Sequence, residues 1–299
     1  MIELSNVNKS FQDKDALKNI NLTFESGKIY GLVGTNGSGK STMLRIISGV
    51  YKCDSGSCLL DGEDNFDNNN AKEKVFFISD DLYFAPQATL KSMANFYKSA
   101  YKTWSDERYK KLCSYFPIGD SKKLSTFSKG MRRQAAFILA LSTCPKYLLL
   151  DEAFDGIDPV IRHGVRQLIS DIIAEDNICC IISSHNLREL EDFCDEICLL
   201  HNGRIQLTGH LDSLSSSYCK VQMALRNTPA EINIPGIKIL SKRTTGSIIT
   251  LIMNVNEEQG LEAVSHLDPV FSEAIPLTLE ELFIYEMEAI GYDYSNIIF

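Results

Sequence analysis

Short apolar runs bounded by glycine or polar residues recur along the chain. Lys28-Ile29-Tyr30-Gly31-Leu32-Val33, Val75-Phe76-Phe77-Ile78-Ser79, Tyr147-Leu148-Leu149-Leu150 and Ile178–Ser183 each read as a buried strand. Between them the period changes. Met43-Leu44-Arg45-Ile46-Ile47 predicts a helix, Val160 to Ala174 alternates apolar and charged positions as an amphipathic helix does, and Glu189–Glu196 predicts another. From Thr89 to Cys144 the spacing is helical, with Leu90, Met93, Ala94 and Tyr97, then Tyr109, Leu112, Cys113 and Phe116, punctuated by Pro117 and Gly119. Gly56 to Gly62 reads as a strand closed by an Asp-Gly turn, and residues 63–74 as a polar loop or short helix. Ile197–His201 and Arg204–Leu207 flank Asn202-Gly203, a hairpin signal.

Strands alternating with helices predict an α/β fold with a largely parallel sheet, into which the helical stretch is inserted. A boundary is expected near Leu211–Ser217, where serines cluster, giving domains 1–211 and 212–299. Within residues 212–299, strands are expected at Lys220–Leu225 and Ile248–Val255 and helices at Glu257–His266 and Thr278–Met287, a small α+β accessory domain.

Bulk properties narrow the classes. The 299 residues suffice for one large or two modest domains. Net charge is −9, and residues 212–299, with 12 Asp/Glu against 5 Lys/Arg, carry −7 of it. That balance argues against a broad cationic nucleic-acid surface, so no nucleic-acid partner is expected. The chain holds no apolar run of about 18 residues, the length that would span a bilayer, and the first residues show no secretion signal. Nine cysteines, several inside apolar runs, read as reduced core residues of a cytoplasmic protein. Cys194 and Cys198, four apart, read as packing because no further His/Cys pair with zinc spacing follows.

The chemistry concentrates at Gly34-Thr35-Asn36-Gly37-Ser38-Gly39-Lys40-Ser41-Thr42, which fits the phosphate-binding P-loop, between a strand and a helix. Its glycines (Gly34, Gly37, Gly39) let the backbone of Asn36, Ser38 and Thr42 curl round a phosphate chain. Lys40 can reach the β- and γ-phosphates, and Ser41 can place a hydroxyl on Mg²⁺. Asp151 and Glu152 end an apolar strand at its carboxyl end, where open α/β sheets bind ligands. Asp151 can hold Mg²⁺ through its water shell, and Glu152 can polarise an attacking water.

Phe127-Ser128-Lys129-Gly130-Met131 precedes a helical run, Arg132–Ser142. Taken alone it is a serine N-cap with a glycine turn. In company it resembles the signature of the ABC ATPase family, whose commonest form is L-S-G-G-Q. The resemblance covers about residues 1–210 and rests on order: P-loop, a Q-loop-like position, Ser128–Gly130, Asp151-Glu152, Gly156-Ile157-Asp158-Pro159, then Ser184-His185.

It implies a P-loop NTPase (RecA-like) core with an antiparallel β subdomain and a helical subdomain at about 84–146. It implies ATP and Mg²⁺ as cofactors. Ser128 and Gly130 would meet the γ-phosphate of ATP on another subunit, and His185 would be the switch histidine. Asp158 would be the D-loop acid, with an Asp-Pro turn as its ordinary alternative, and Phe11 would stack on adenine, with core packing as the alternative. The family has glutamine or a similar residue after the strand Val75–Ile78, where this chain has Asp80. The metal-sensing role is therefore expected at Asp80 or its neighbour Asp81.

The function so implied is that of an ATP-hydrolysing subunit of an ABC transporter, similar to the bacterial exporter-like stand-alone ATPases. Two copies, or one copy and a second ABC ATPase, would sandwich two MgATP and drive a separately encoded membrane permease from the inner face of the cell membrane. The Ser128–Met131 variant and the tail Pro276–Phe283 lean that likeness toward export. The competing class is a soluble ABC ATPase acting on ribosomes or DNA. Relatives of the first kind usually carry two cassettes, and those of the second a long coiled coil; only 104 residues separate Thr42 from Tyr147 here, without sustained heptads.

Overall fold

The computed structural model describes residues 1–12, 14–116, 118–226, 232–275 and 277–289; Pro117, Pro276 and the last ten residues of the expected accessory domain lie outside the described residues. The chain divides into two compact units, Met1–Asn186 with Phe193–Thr208, and Leu187–Asp192 with Gly209–Phe299.

In the first unit, β1 (Ile2–Phe11) and β2 (Lys14–Phe24) pair antiparallel, followed by β3 (Ile29–Val33) and helix α1 (Lys40–Ile47). Then come β4 (Ser55–Leu60), β5 (Glu63–Asp64), α2 (Asn69–Lys72) and β6 (Val75–Ile78). Helices α3 (Leu90–Ala100), α4 (Asp106–Tyr115) and α5 (Lys129–Ser142) form the insertion. The chain returns through β7 (Tyr147–Asp151), α6 (Pro159–Asp176), β8 (Cys179–Ser183), β9 (Glu196–His201) and β10 (Arg204–His210).

The central sheet has the order β10-β9-β3-β8-β7-β6, parallel from β9 through β6. Strands β3, β7 and β8 are buried at every residue, which is why they read as unbroken apolar runs rather than alternating ones. A second sheet, β2-β1-β4-β5, puts Ile2, Val7, Ile20 and Phe24 into one core with Met43 and Leu44 of α1. Each such side chain contributes about 2 kcal/mol by burial. The inserted helices are capped by a Thr89–Ser92 capping box on α3 and by Ser105 on α4. Among the described residues, no helix is long and apolar enough to cross a membrane.

One expected helix, Glu189–Glu196, differs. The helix there, α7, covers Leu187–Glu191. Asp195 exchanges hydrogen bonds with Ile29, its Oδ2 accepting from the Ile29 N–H at 2.8 Å and its own N–H donating to the Ile29 carbonyl at 2.9 Å. That exchange pins the chain to β3 and turns the next residues into β9.

The second unit holds α7 together with α8 (Leu211–Ser216), β11 (Cys219–Ala224), β12 (Ile239–Thr245), β13 (Ile248–Met253), α9 (Glu257–Ser265), β14 (Phe271–Ile275) and α10 (Leu279–Ala289). Its sheet is antiparallel, in the order β12-β13-β11-β14. Val221, Met223, Ile249, Leu251 and Val264 form its core. Lys220 of β11 pairs with Glu281 of α10 at 2.6 Å, and the Leu279 N–H donates to Glu191 Oε1 of α7 at 3.1 Å. Strands β12 and β14 are additions to the expected elements.

Candidate active site

The loop between β3 and α1 is shaped by close approach. A β-carbon on Gly34 would stand 2.2 Å from the Leu200 carbonyl oxygen, and one on Gly39 2.5 Å from that of Ala16. Gly37 and Gly39 also hold positive φ, 76° and 116°, which favours glycine. The first bond inside α1 runs from Met43 N to the Gly39 carbonyl, and no side chain caps the helix. The N–H groups of Gly39 to Thr42 thus precede the helical ladder at its positive end, a ready anion site. Asn36 and Gly37 are exposed, whereas Ser38 is buried with an unpartnered Oγ.

Lys40 is buried, and its Nζ donates to the carbonyls of Gly34 at 2.8 Å and Thr35 at 3.3 Å. Burial presses its pKa below the ordinary lysine value, opposed by the negative charges of Glu152 and Asp151.

Asp151 ends β7, 1% exposed, and Oδ1 accepts hydrogen bonds from Ser41 Oγ at 3.0 Å and Ser183 Oγ at 2.6 Å. Its Oδ2 is buried without a partner. A buried carboxylate oxygen left unmatched beside a hydroxyl is costly in isolation and is the hard oxygen donor set that Mg²⁺ takes. The residues present therefore fit the metal at Ser41 and Asp151. Ser183 was not anticipated; its signal is a lone hydroxyl at the carboxyl end of an otherwise apolar strand.

Glu152 has φ 47°, unusual outside glycine, and its N–H donates to the Ser183 carbonyl at 3.1 Å. The turn costs about 1 kcal/mol. The half-buried carboxylate Oε2 accepts from the His185 N–H at 3.2 Å and lies 2.8 Å from His185 Nδ1, while Nε2 of the exposed ring is 3.9 Å from Asp155.

Ser128 is the N-cap of α5, its Oγ accepting from the Met131 N–H at 3.2 Å. A β-carbon on Gly130 would come 2.7 Å from the Gly156 carbonyl oxygen, so this helix start is seated on the loop after Glu152. Among the described residues, no hydrogen bond joins Ser128 or Gly130 to the P-loop of the same chain. Asp158 caps α6 by accepting from the Val160 N–H at 2.9 Å, with Pro159 at the first helical position. Phe11 is not a core residue: it is 41% exposed, edge-on to Tyr51 with ring centroids 5.3 Å apart.

Asp80, where the metal-sensing role is expected, follows β6 and faces α5. Its carboxylate is engaged by Arg133 of α5, with Nη2 2.9 Å from Oδ1; among the described residues no hydrogen bond joins it to Ser41 or Asp151. Asp81 is exposed, and its carbonyl accepts from Ser79 Oγ at 2.8 Å.

A phosphate cradle, a hydroxyl–carboxylate pair for a divalent cation and a carboxylate braced for a water define the nucleotide-hydrolysing P-loop class. The comparisons carry this further. The profile of the family described as "ABC transporter" matches residues 17–155. The "ABC transporter ATP-binding protein YtrB" of Bacillus subtilis (strain 168) is 32% identical over 284 residues, 95% of this chain and 97% of that one. A "Probable sulfate/thiosulfate import ATP-binding protein CysA" of Chlorella vulgaris is also 32% identical, over 72% of this chain and 93% of its own length. Among solved structures, "Dimeric Structure of MJ0796, a Bacterial ABC Transporter Cassette" aligns with a TM-score of 0.64 at 25% identity, covering 71% of this chain and 99% of that one. The same cassette is also solved in a post-hydrolysis dimeric state bound to ADP and Pi, with a TM-score of 0.63. The chain belongs to the ATP-binding proteins of ABC transporters and is an ATPase of that family.

Proposed function

We propose that two copies of this chain, or one copy and a second ABC ATPase, close head to tail around two MgATP and drive a separately encoded membrane permease. The observation that carries this reading is the split between two half-sites. Glu152, bonded to His185, directly follows Asp151, which binds Ser41 of the P-loop, whereas Ser128–Gly130 rests on Gly156 and makes no described bond to its own P-loop. A second chain can supply the missing half. The similar cassette MJ0796 is dimeric.

Each residue has a share in the chemistry. Backbone N–H groups of the P-loop and Lys40 would bind and neutralise the phosphates. Mg²⁺, when bound, supplies further charge neutralisation, and Ser41 and Asp151 would hold it. Glu152 would orient a water and receive its proton, and His185 would fix the Glu152 carboxylate. Phe11, exposed beside the hairpin, would offer a face to the adenine. Asp158 would serve the contact between subunits from its place at the start of α6.

The permease is a separate chain in this reading, placing the protein on the inner face of the cell membrane. Support comes from YtrB, matched over 97% of its length and named as an ABC transporter ATP-binding protein. Outward transport is supported by the Ser128-Lys129-Gly130-Met131 variant. The import protein CysA matches 72% of this chain at the same identity as YtrB, so cassette identity does not set direction.

The test is affinity capture of the Glu152→Gln chain with ATP from detergent-solubilised native membranes. Recovery of a polytopic membrane protein supports the reading. Recovery of ribosomes or DNA-bound proteins without a membrane partner overturns it.

A further inference from the structure

Arg133 heads the large side chains that are fully buried, at 1% exposure, although its neighbours Arg132 and Gln134 give the stretch the look of a solvent-facing turn. A guanidinium so deep is tolerated only when its donors are matched. Here they are matched by two consecutive residues. Nη1 donates to the Ser79 carbonyl at 2.8 Å, and Nη2 donates to the Asp80 carbonyl at 2.7 Å and to Asp80 Oδ1 at 2.9 Å. The planar fork fixes both position and rotation, which a lysine point charge does not.

The two ends of this contact matter. Ser79 and Asp80 directly follow β6, whose last residue, Ile78, is in register with Leu150 of β7; the next residue of β7 is Asp151. Arg133 lies on α5, five residues and about 7.5 Å of helix rise beyond Ser128. The bonds thus tie the strand level of the metal-site carboxylate to the helix that presents Ser128–Gly130. Asp80 Oδ1 is committed to that tie.

We infer that Asp80 and Arg133 are positioning residues for ATP hydrolysis: together they form a strut that holds Ser128–Gly130 in register with the end of β6, and Asp80 acts through Arg133 rather than as a metal ligand. The pair sets where the second half-site stands when another subunit presents ATP to it, so its loss lowers turnover while the chain's own nucleotide pocket stays intact. The inference rests on the proposed role of Ser128–Gly130 toward a second subunit.

The experiment uses the full chain with Asp80→Ala, Asp80→Asn, Arg133→Lys and Arg133→Met. It measures kcat, KM for ATP, the Mg²⁺ concentration giving half-maximal rate, and Tm. Asp80→Ala and Arg133→Met are expected to lower kcat at least fivefold with KM and Mg²⁺ requirement within twofold of the parent. Asp80→Asn, which keeps an oxygen acceptor, is expected to retain more than half of kcat. The double variant is expected to be no slower than the worse single one, because the bond that Asp80→Ala removes is among those that Arg133→Met removes.

Asp80 is more than half exposed, so Asp80→Ala keeps the test open if Arg133→Met does not fold. A tenfold higher Mg²⁺ requirement for Asp80→Ala, unmatched by Arg133→Lys, overturns the inference in favour of a metal ligand. Parental kcat in Asp80→Ala also overturns it. ATP-dependent dimerisation of the Glu152→Gln chain is the separate control; its failure overturns the two-subunit reading and the role given to Ser128–Gly130 with it.

Discussion

His185 holds one oxygen of Glu152 from two sides, its backbone N–H at 3.2 Å and its ring Nδ1 at 2.8 Å from Oε2. Those two contacts fix the orientation of the carboxylate. Replacing it with the amide of glutamine keeps the shape and removes the base. Glu152→Gln is expected to bind ATP, accumulate as an ATP-bound dimer on size-exclusion chromatography, and turn over at least about 100-fold more slowly, roughly 2.7 kcal/mol of barrier.

Lys40→Ala acts earlier. Its ammonium bridges the loop carbonyls of Gly34 and Thr35 and faces Asp151 and Glu152 electrostatically. Nucleotide affinity, read by fluorescent-ATP titration, is expected to fall about tenfold or more, the ~1.4 kcal/mol or more of a lost charge-assisted contact. No ATP-trapped dimer is expected even when Glu152→Gln is added.

Gly130→Ala separates binding from turnover by another route. The added methyl would stand 2.7 Å from the Gly156 carbonyl, and backbone cannot swing aside as a flexible side chain can. Nucleotide affinity of the single chain is expected to stay within twofold while kcat falls about tenfold. Equal loss of both would place Gly130 in the chain's own nucleotide pocket.

Acid sensitivity is expected at Asp61. Burial raises its pKa, but Lys146, Tyr147 and Lys74 outweigh it and hold the carboxyl well below the ordinary range. A depressed folded-state pKa means the stabilisation is complete above the unfolded value, about 3.9, and is lost as pH falls through the folded one. Asp61→Asn is expected to cost about 1 kcal/mol at pH 7, because solvent screens this exposed cluster. In thermal melts, its Tm deficit against the parent is expected to shrink steadily below about pH 4.

Much of the nucleotide site is legible from sequence because its residues are adjacent in the chain. Gly34 to Thr42 is one loop, and Asp151-Glu152 closes one apolar strand. What escapes are residues whose meaning lies across the fold. Arg133 looks like surface because helical spacing cannot reveal that the carbonyls of Ser79 and Asp80 await it 54 and 53 residues away. Asp80 is similar: register places it after the strand, but does not show that Arg133 binds its carboxylate. Strand β12 escapes because its last four residues are exposed, as on an edge strand, so neither face carries an apolar period.

Helix α7 begins two residues after His185 yet belongs to the second unit, where Glu191 receives the Leu279 N–H and Leu190 is fully buried. The chain thus enters that unit, leaves it and enters it again. Deleting everything after Thr208 would not remove a detachable appendage; it would strip Leu190 and Glu191 of their covering helix, a stone's throw along the chain from the histidine that aims Glu152. A loss of activity on such deletion would then report a damaged cassette, and would be wrong to score as the removal of an activator.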